Sequence, residues 1–393
     1  MIGNRFDKYK DSGIAWIGEI PEHWEVTSFK RKITINNGKD YKDFLDAEVY
    51  PVMGSGGCFA YCSNYIYDGE ALLLGRKGTI DKPLYVKGKF WAVDTMFYAI
   101  PHADLYCKFA YYLALMFPFN LYSTSTSLPS LTQTDLGNIL VAFPFLSEQQ
   151  AIAAYLDQKC GEIDELITLQ EEMITKLQSY KQSVIIEAVT KGLNKNVPLK
   201  DSGVEWIGEI PEPWRIICLK RLCRISTGNQ DTQDSIPDGK YPFFVRSPKV
   251  ERSNNYTFEG PSILMAGDGV GAGKVFHLAD NKFACHQRVY CINQFSVIVN
   301  RIYLFYYMSS LFYNIIDSAN SKSTVDSVRL PMLAEFPVCI PLKYEQQAIA
   351  DYLDQRCSEI DELISIKQQK IEKLKEYKKS LIFECVTGKR KVS

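Results

Sequence analysis

At 393 residues the chain is long enough for two or three domains, each burying a core of its own. Its 45 basic and 46 acidic residues give a formal net charge of -1, which neither supports nor excludes nucleic acid, because a local basic face rather than the total decides that question. The eleven cysteines contain no Cys-x-x-Cys pair, only four histidines accompany them, and nothing completes a tetrahedral set around Cys58 and Cys62, so no metal site is expected and buried thiols in a reduced cytoplasmic protein are. The first residues, among them Asn4, Arg5, Asp7, Lys8 and Lys10, lack the apolar core of a signal peptide. No apolar run reaches membrane-spanning length, so a cytoplasmic location without membrane contact is expected.

Residues 10 to 24 read Lys10-Asp-Ser-Gly-Ile-Ala-Trp-Ile-Gly-Glu-Ile-Pro-Glu-His-Trp24, and residues 200 to 214 repeat them with changes only at Val204, Glu205 and Pro213. The chain is therefore a duplication with a period of about 190 residues, far longer than a solenoid repeat, and each copy is a globular unit. Gly18, Pro21, Gly208 and Pro211 punctuate these stretches as turns. Trp16, Trp24, Trp206 and Trp214 are large enough to anchor them on the domain that follows, as structural latches.

Beyond the latch the copies diverge over a shared skeleton. Asn64-Tyr-Ile-Tyr-Asp-Gly69 answers to Asn255-Tyr-Thr-Phe-Glu-Gly260, Ala71 to Gly75 answers to Ser262 to Gly267, Phe90-Trp-Ala-Val to Lys282-Phe-Ala-Cys, and Phe97 to Ile100 answers to Val289 to Ile292. Short apolar and aromatic runs between Gly, Asn and Asp turns predict a mainly β domain in each copy. A helix is predicted next, near Phe109 to Met116 and Ile302 to Leu311. Then come polar loops, Ser123 to Ser127 and Ser318 to Thr324, and a last apolar piece ending at Pro144 or Pro341.

Each copy closes on a long helix, from Glu148-Gln-Gln-Ala-Ile-Ala through Thr190 and from Glu345-Gln-Gln-Ala-Ile-Ala through Thr387. Apolar residues fall at Ile163, Leu166, Met173, Leu177, Tyr180 and Val184, and at Ile360, Leu363, Leu374, Tyr377 and Leu381. They stand three and four apart, with one polar gap at Gln170 or Lys367. That spacing predicts a heptad seam between the two helices, each a rod of roughly 60 Å. If the second rod packs back along the first, the helices are antiparallel, the domains face oppositely, and one chain has approximate two-fold symmetry.

The segments that vary between the copies carry the functional candidates. Gly75-Arg-Lys-Gly-Thr79 becomes the glycine-rich Gly267 to Lys274, Asp94-Thr95 becomes His286-Gln287, and the basic Lys30-Arg31-Lys32 is kept as Lys220-Arg221 with Arg224. Arg76, Lys77 and Thr79, and Lys274, His286, Gln287 and Arg288, are expected on a DNA-facing surface, where arginine and glutamine match the base edges of the major groove. Ser125, Lys322 and Ser323 in the polar loops are expected at the phosphate backbone, and Lys30, Arg31, Lys220 and Arg221 as matched basic clusters. Catalytic motifs fail: the first glycine of a phosphate loop would fall at Asp268, Val275 stands where its magnesium-binding hydroxyl belongs, and Gly54-Ser-Gly56 is too short for a hydrolase elbow. The chain is not expected to be an enzyme.

The latch Trp16-Ile-Gly-Glu-Ile-Pro21 with its repeat, Gly75-Arg-Lys-Gly-Thr with Phe90-Trp-Ala-Val-Asp-Thr-Met-Phe97, the loop before Leu136 and the doubled Glu-Gln-Gln-Ala-Ile-Ala helix together resemble the specificity subunit of Type I restriction-modification systems. The resemblance covers nearly the whole chain. It implies an α+β fold of two mainly β target recognition domains, 1–145 and 197–342, separated by long antiparallel coiled-coil helices, 146–196 and 343–393. It implies double-stranded DNA as ligand, each domain reading half of a split target. Two methyltransferase subunits would supply S-adenosylmethionine and methylate adenine, and endonuclease-translocase subunits would supply ATP and Mg chemistry, with no cofactor in this chain. The rival reading is a coiled-coil scaffold that never touches nucleic acid; the basic clusters favour DNA.

Overall fold

The computed structural model describes residues 5–123, 129–319 and 327–392, so Ser125, Lys322 and Ser323 lie outside the described residues. The chain divides into two compact units, Met1–Gln170 with Gln369–Ser393, and Glu171–Gln368. Each long helix is continuous, over Leu146–Lys191 and Lys343–Val386, and each contributes one part to either unit.

In the first unit one six-stranded sheet runs in the order Ile33–Asn37, Met96–Pro101, Tyr67–Gly75, Leu84–Ala92, Tyr50–Gly54, Gly57–Cys62. Its neighbours are antiparallel except Tyr50–Gly54 beside Leu84–Ala92. The two nine-residue strands at its centre pair Gly69 with Gly88, and both glycines have positive φ, 149° and 95°, so the ribbon bends where neither side carries a Cβ. In the second unit the bend becomes a break. Phe258–Glu259 and Ser262–Ala266 are separated at Gly260 (φ 94°), and Phe276–Ala279 and Lys282–Cys285 at Asp280-Asn281, leaving two four-stranded sheets with the same order of neighbours.

The hydrogen-bond register corrects the sequence matching by one residue. Val52 pairs with Trp91 and Met53 with Ala92 in the first unit, and Phe243 with Ala284 and Phe244 with Cys285 in the second. Phe90 thus answers to Phe283, Val93 to the buried His286, and Asp94 to Gln287.

The junction of β domain and helix explains the repeated Glu-Gln-Gln. Trp24 and Trp214, both 1% exposed, donate their indole N–H to Glu148 and Glu345 across 3.1 Å in each case. The buried Gln149 carboxamide donates to the Asp104 and Pro144 carbonyls and accepts from the Tyr106 N–H. Gln346 repeats this with Ile298, Pro341 and Asn300. Trp16 and Trp206 are the lighter half of the latch, edge-on to Phe117 and stacked on Phe336.

The helices pair antiparallel within each unit, but the seam is shifted from the expected one. In the first unit the inward positions are Leu156, Cys160, Ile163, Ile167 and Gln170 against Ile371, Leu374, Lys378, Leu381 and Cys385. In the second they are Ile174, Leu177, Lys181, Val184 and Ala188 against Leu353, Cys357, Ile360, Ile364 and Lys367. Leu166, Tyr180, Leu363 and Tyr377 are instead 44–51% exposed. The seam positions they seemed to fill belong to Ile167, Lys181, Ile364 and Lys378, one residue on. Each lysine lays its aliphatic stem in the seam and carries its ammonium to a carboxylate, Lys378 to Asp164 at 2.7 Å and Lys181 to Asp361 at 2.6 Å. These two ion pairs are one contact, written once in each unit.

The shifted phase separates two neighbouring substitutions. Ile163→Ala removes a side chain 5% exposed and is expected to cost about 2–4 kcal/mol. Leu166→Ala, at 44% exposure, should stay within about 1 kcal/mol. Urea denaturation midpoints measure both, and equal losses would restore the seam read from the sequence.

Candidate nucleic-acid interface

In the first unit the central strand ends at Gly75, where a Cβ would stand 2.2 Å from the Thr79 carbonyl, so only glycine lets the Arg76 to Thr79 turn fold back on its strand. Arg76 donates its backbone N–H to the Thr95 carbonyl, and its own carbonyl accepts from Leu131. Gly78 donates to the Pro129 carbonyl, and Lys77 bridges Ser130. The chain leaving the polar loop is thereby stitched to the basic turn. The Arg76 side chain is half-buried, with its guanidinium 5.8 Å from the Phe97 ring centre and 3.4 Å from the Asp94 carbonyl. Lys77 and Thr79 are exposed.

The second unit repeats the stitch with other side chains. Val328 donates to the Gly267 carbonyl at 2.8 Å, and Asp268 bridges Ser327. Here the turn expands into the glycine loop, with Val270 at its tip 94% exposed. Asp268 takes Arg246 at 3.0 Å and Arg288 at 3.5 Å, so two guanidinium groups share one carboxylate. Beside them Gln287 donates from Nε2 to Asp231 at 2.8 Å. The loop rims an open groove lined by Thr232, Arg246, Glu251 and Asp268 among others. Arg246, Asp231 and Asp268 were missed in the sequence reading. Arg246 carried one signal, being the first charge after the apolar run Tyr241 to Val245.

His286 is not part of the exposed surface. It is 3% exposed, its Nδ1 accepts the Arg288 N–H at 2.9 Å, and it answers in register to the buried Val93. Its task is to hold the turn that presents Gln287 and Arg288. Lys274 lies over the Tyr313 ring at 4.1 Å, against the Tyr313–Ala319 helix. Lys30 and Lys220 sit on short 3-10 turns. Lys30 donates to the Asn138 side chain at 2.8 Å, whereas Lys220 is ion-paired with Glu335, whose carboxyl is held below its usual range by that lysine. Lys32 is ion-paired with Asp104 at 2.6 Å, so one lysine of each basic cluster is neutralised, while Arg31 and Arg221 remain exposed. Among the described residues no three His, Cys, Asp or Glu side chains converge as a metal site, and no helix is long and apolar enough to cross a membrane.

The model of the Type I restriction modification DNA specificity domain matches this chain twice, over residues 21–178 and 211–376. The chain is 24% identical over 434 residues to the Type I restriction enzyme MjaVIII specificity subunit of Methanocaldococcus jannaschii, covering 95% of this chain and 94% of that one. It is 25% identical over 181 residues to the Type I restriction enzyme EcoDI specificity subunit of Escherichia coli, a match that spans 46% of this chain and only 39% of that subunit. A chain from a solved type I R-M system structure, described for its complex assembly and conformational transition, superposes with a TM-score of 0.72 over 93% of this chain and 98% of that one. At 16% identity this shows a common fold.

Burial first, and then the charge of Arg246, hold the His286 imidazole below the ordinary histidine value of 6.5. The unfolded chain therefore binds this proton before the folded one as pH falls. The stability owed to the neutral ring is complete above about pH 6.5 and is lost as pH drops through the lowered value. Urea unfolding between about pH 7 and pH 5 is expected to show a steeper loss for the wild type than for His286→Gln. Parallel curves would remove the buried ring from this role.

Proposed function

The chain belongs to the Type I restriction modification DNA specificity family, and from that premise we propose that it reads a split DNA target, one half-site in each β domain. It is a sequence-recognising, non-catalytic DNA-binding component of a Type I restriction-modification complex. One observation carries the two-domain reading. In both units the same backbone stitch, Leu131 to Arg76 and Val328 to Gly267, frames the turn after the central strand, while the side chains in the frame differ. A single fold thus presents two chemistries.

In the 1–145 domain Arg76, Lys77 and Thr79 are the base-reading candidates, and in the 197–342 domain Gln287 and Arg288, with Arg246 and Asp268 added to them. Arginine suits guanine, glutamine suits adenine and a carboxylate suits the cytosine amino group. Ser125, Lys322 and Ser323 would serve the phosphate backbone. The coiled-coil scaffold without DNA is not supported.

Two methyltransferase subunits would bring S-adenosylmethionine, and endonuclease-translocase subunits would bring ATP and Mg, in the cytoplasm. Their docking sites would be the exposed apolar side chains that each stand just before a seam position: Leu166 and Tyr377 in the first unit, and Tyr180 and Leu363 in the second. Leu166→Glu with Tyr377→Glu should then lower recovery of the methyltransferase with this chain on co-purification. Undiminished recovery would place docking elsewhere.

The length of the paired helices would set the unspecified gap between half-sites. Methylome sequencing of cells carrying this chain with its partner subunits should show a bipartite motif. One heptad added at facing points of both helices lengthens each by about 10 Å and should widen the gap by roughly three base pairs, with both half-sites unchanged. An active heptad variant that methylates the original spacing would sink the ruler.

A further inference from the structure

Outside the turns, the two units share a partly exposed cluster that the function above does not use. In the first unit Tyr50 and Tyr65 meet edge to face, ring centres 5.2 Å apart, and the Lys89 ammonium stands 4.6 Å from the Tyr65 ring and 5.6 Å from Tyr50. In the second unit Tyr241 and Tyr256 meet in the same way at 5.2 Å, and the Lys282 ammonium stands 4.6 Å from Tyr256. The clusters correspond by register, since Tyr67 pairs with Phe90 as Phe258 pairs with Phe283, which puts Lys89 and Lys282 at one position of the same strand. Phe90 and Phe283 next to them are 0% and 1% exposed. The lysines alternate with these core residues and so occupy the outer face.

We infer that each cluster is a seat for one phosphate of the DNA backbone, contacted alike in the two half-sites whatever their sequence. The inference rests on the DNA-binding function above and adds a contact that carries no sequence information. Three arguments support it. The first is the contrast between the copies: reading turns differ, as different half-sites require, whereas this cluster keeps its tyrosine pair and its lysine, as a ligand common to both halves requires, with Glu259 added 3.9 Å from Lys282 in the second unit. Base recognition by the same lysine would impose one base on both half-sites, while phosphate is the part of DNA that does not vary.

The second argument is exposure. Tyr65 is 38% and Tyr256 45% exposed, so both rings are open to a ligand from solvent. The rings restrict the lysine stem, which lessens the ordering cost when the ammonium meets an anion, and phenol hydroxyls are themselves phosphate donors. The third is position. Asn255, beside Tyr256, accepts from the Gln230 side chain, and the Gln230 carbonyl accepts from the Gln287 N–H, so in the second unit the cluster continues the rim that presents Gln287.

The experiment uses the full chain assembled with its methyltransferase partner and measures affinity against salt concentration for a cognate and a scrambled duplex. Lys89→Ala and Lys282→Ala should each weaken both duplexes by the same factor and lower the slope of log affinity against log salt by about one, and the double variant by about two. Lys89→Arg, which keeps the charge, should keep the slope, and the methylated sequence should not change in any of them. An unchanged slope in the double variant overturns the inference. So does a loss confined to substitutions in one half-site, which would make the lysine a base reader, or a loss of methyltransferase recovery with the slope intact, which would make the cluster a protein-docking surface. Because both duplexes are scored, a wild-type complex with no cognate preference would sink the target-reading function while a lowered slope still upheld the phosphate seat.

Discussion

The buried carboxamides of Gln149 and Gln346 are the constraint on which the rest of each unit depends. A glutamine side chain offers two N–H donors and a carbonyl acceptor, and each of these two uses all three on backbone groups at the end of its β domain and the loop before its domain helix. Leucine would leave those backbone groups unpaired in a dry site, at about 1–3 kcal/mol for each one. Glutamate would lack the donors and bury a charge. The adjoining Glu148 and Glu345 take the tryptophan N–H from the latch, so one short run of residues at the start of a helix fastens the latch and the domain to it.

The helices themselves are steered by weak contacts. The pairs Lys378–Asp164 and Lys181–Asp361 are partly exposed, with the aspartates 56–58% open to solvent, and each contributes at most about 1 kcal/mol. Their effect lies in choosing a register. A slip by one heptad would keep most apolar positions in the seam, yet it would carry each lysine about 10 Å from its aspartate. Apolar burial drives the pairing, and the charges select one alignment from several of similar burial.

The duplication, the latches, the β character of the domains and the heptad period were all legible, because each is a repeat or a spacing. The phase of the seam was not. Leucine and tyrosine at 166 and 180 outweigh a lysine on any apolarity scale, but Lys181 has a four-carbon stem that packs while its head stays wet. The one-residue offset around His286 was hidden for a related reason: an aromatic followed by alanine occurs in both copies, at positions that the sheet does not pair. Arg246 and Asp268 are distant in sequence, as are Tyr50, Tyr65 and Lys89, and only the folded sheet brings them together.

A duplicated chain supplies its own control. What was kept in both units, the carboxamide junction, the lysine–aspartate pair and the lysine beside a tyrosine pair, serves whatever the two halves have in common. What changed serves the difference between them. The arginines of the turns proposed to read bases illustrate the second class: Arg76 rests on a ring and a backbone carbonyl, whereas Arg246 and Arg288 are held by a shared carboxylate. A guanidinium resting on a ring keeps its charge for an incoming acceptor. One bound to Asp268 must leave that carboxylate or present it jointly, and a carboxylate accepts the cytosine amino group that an arginine cannot. As the proposed base readers, the two turns would therefore suit different base edges, although one backbone frame supports them both.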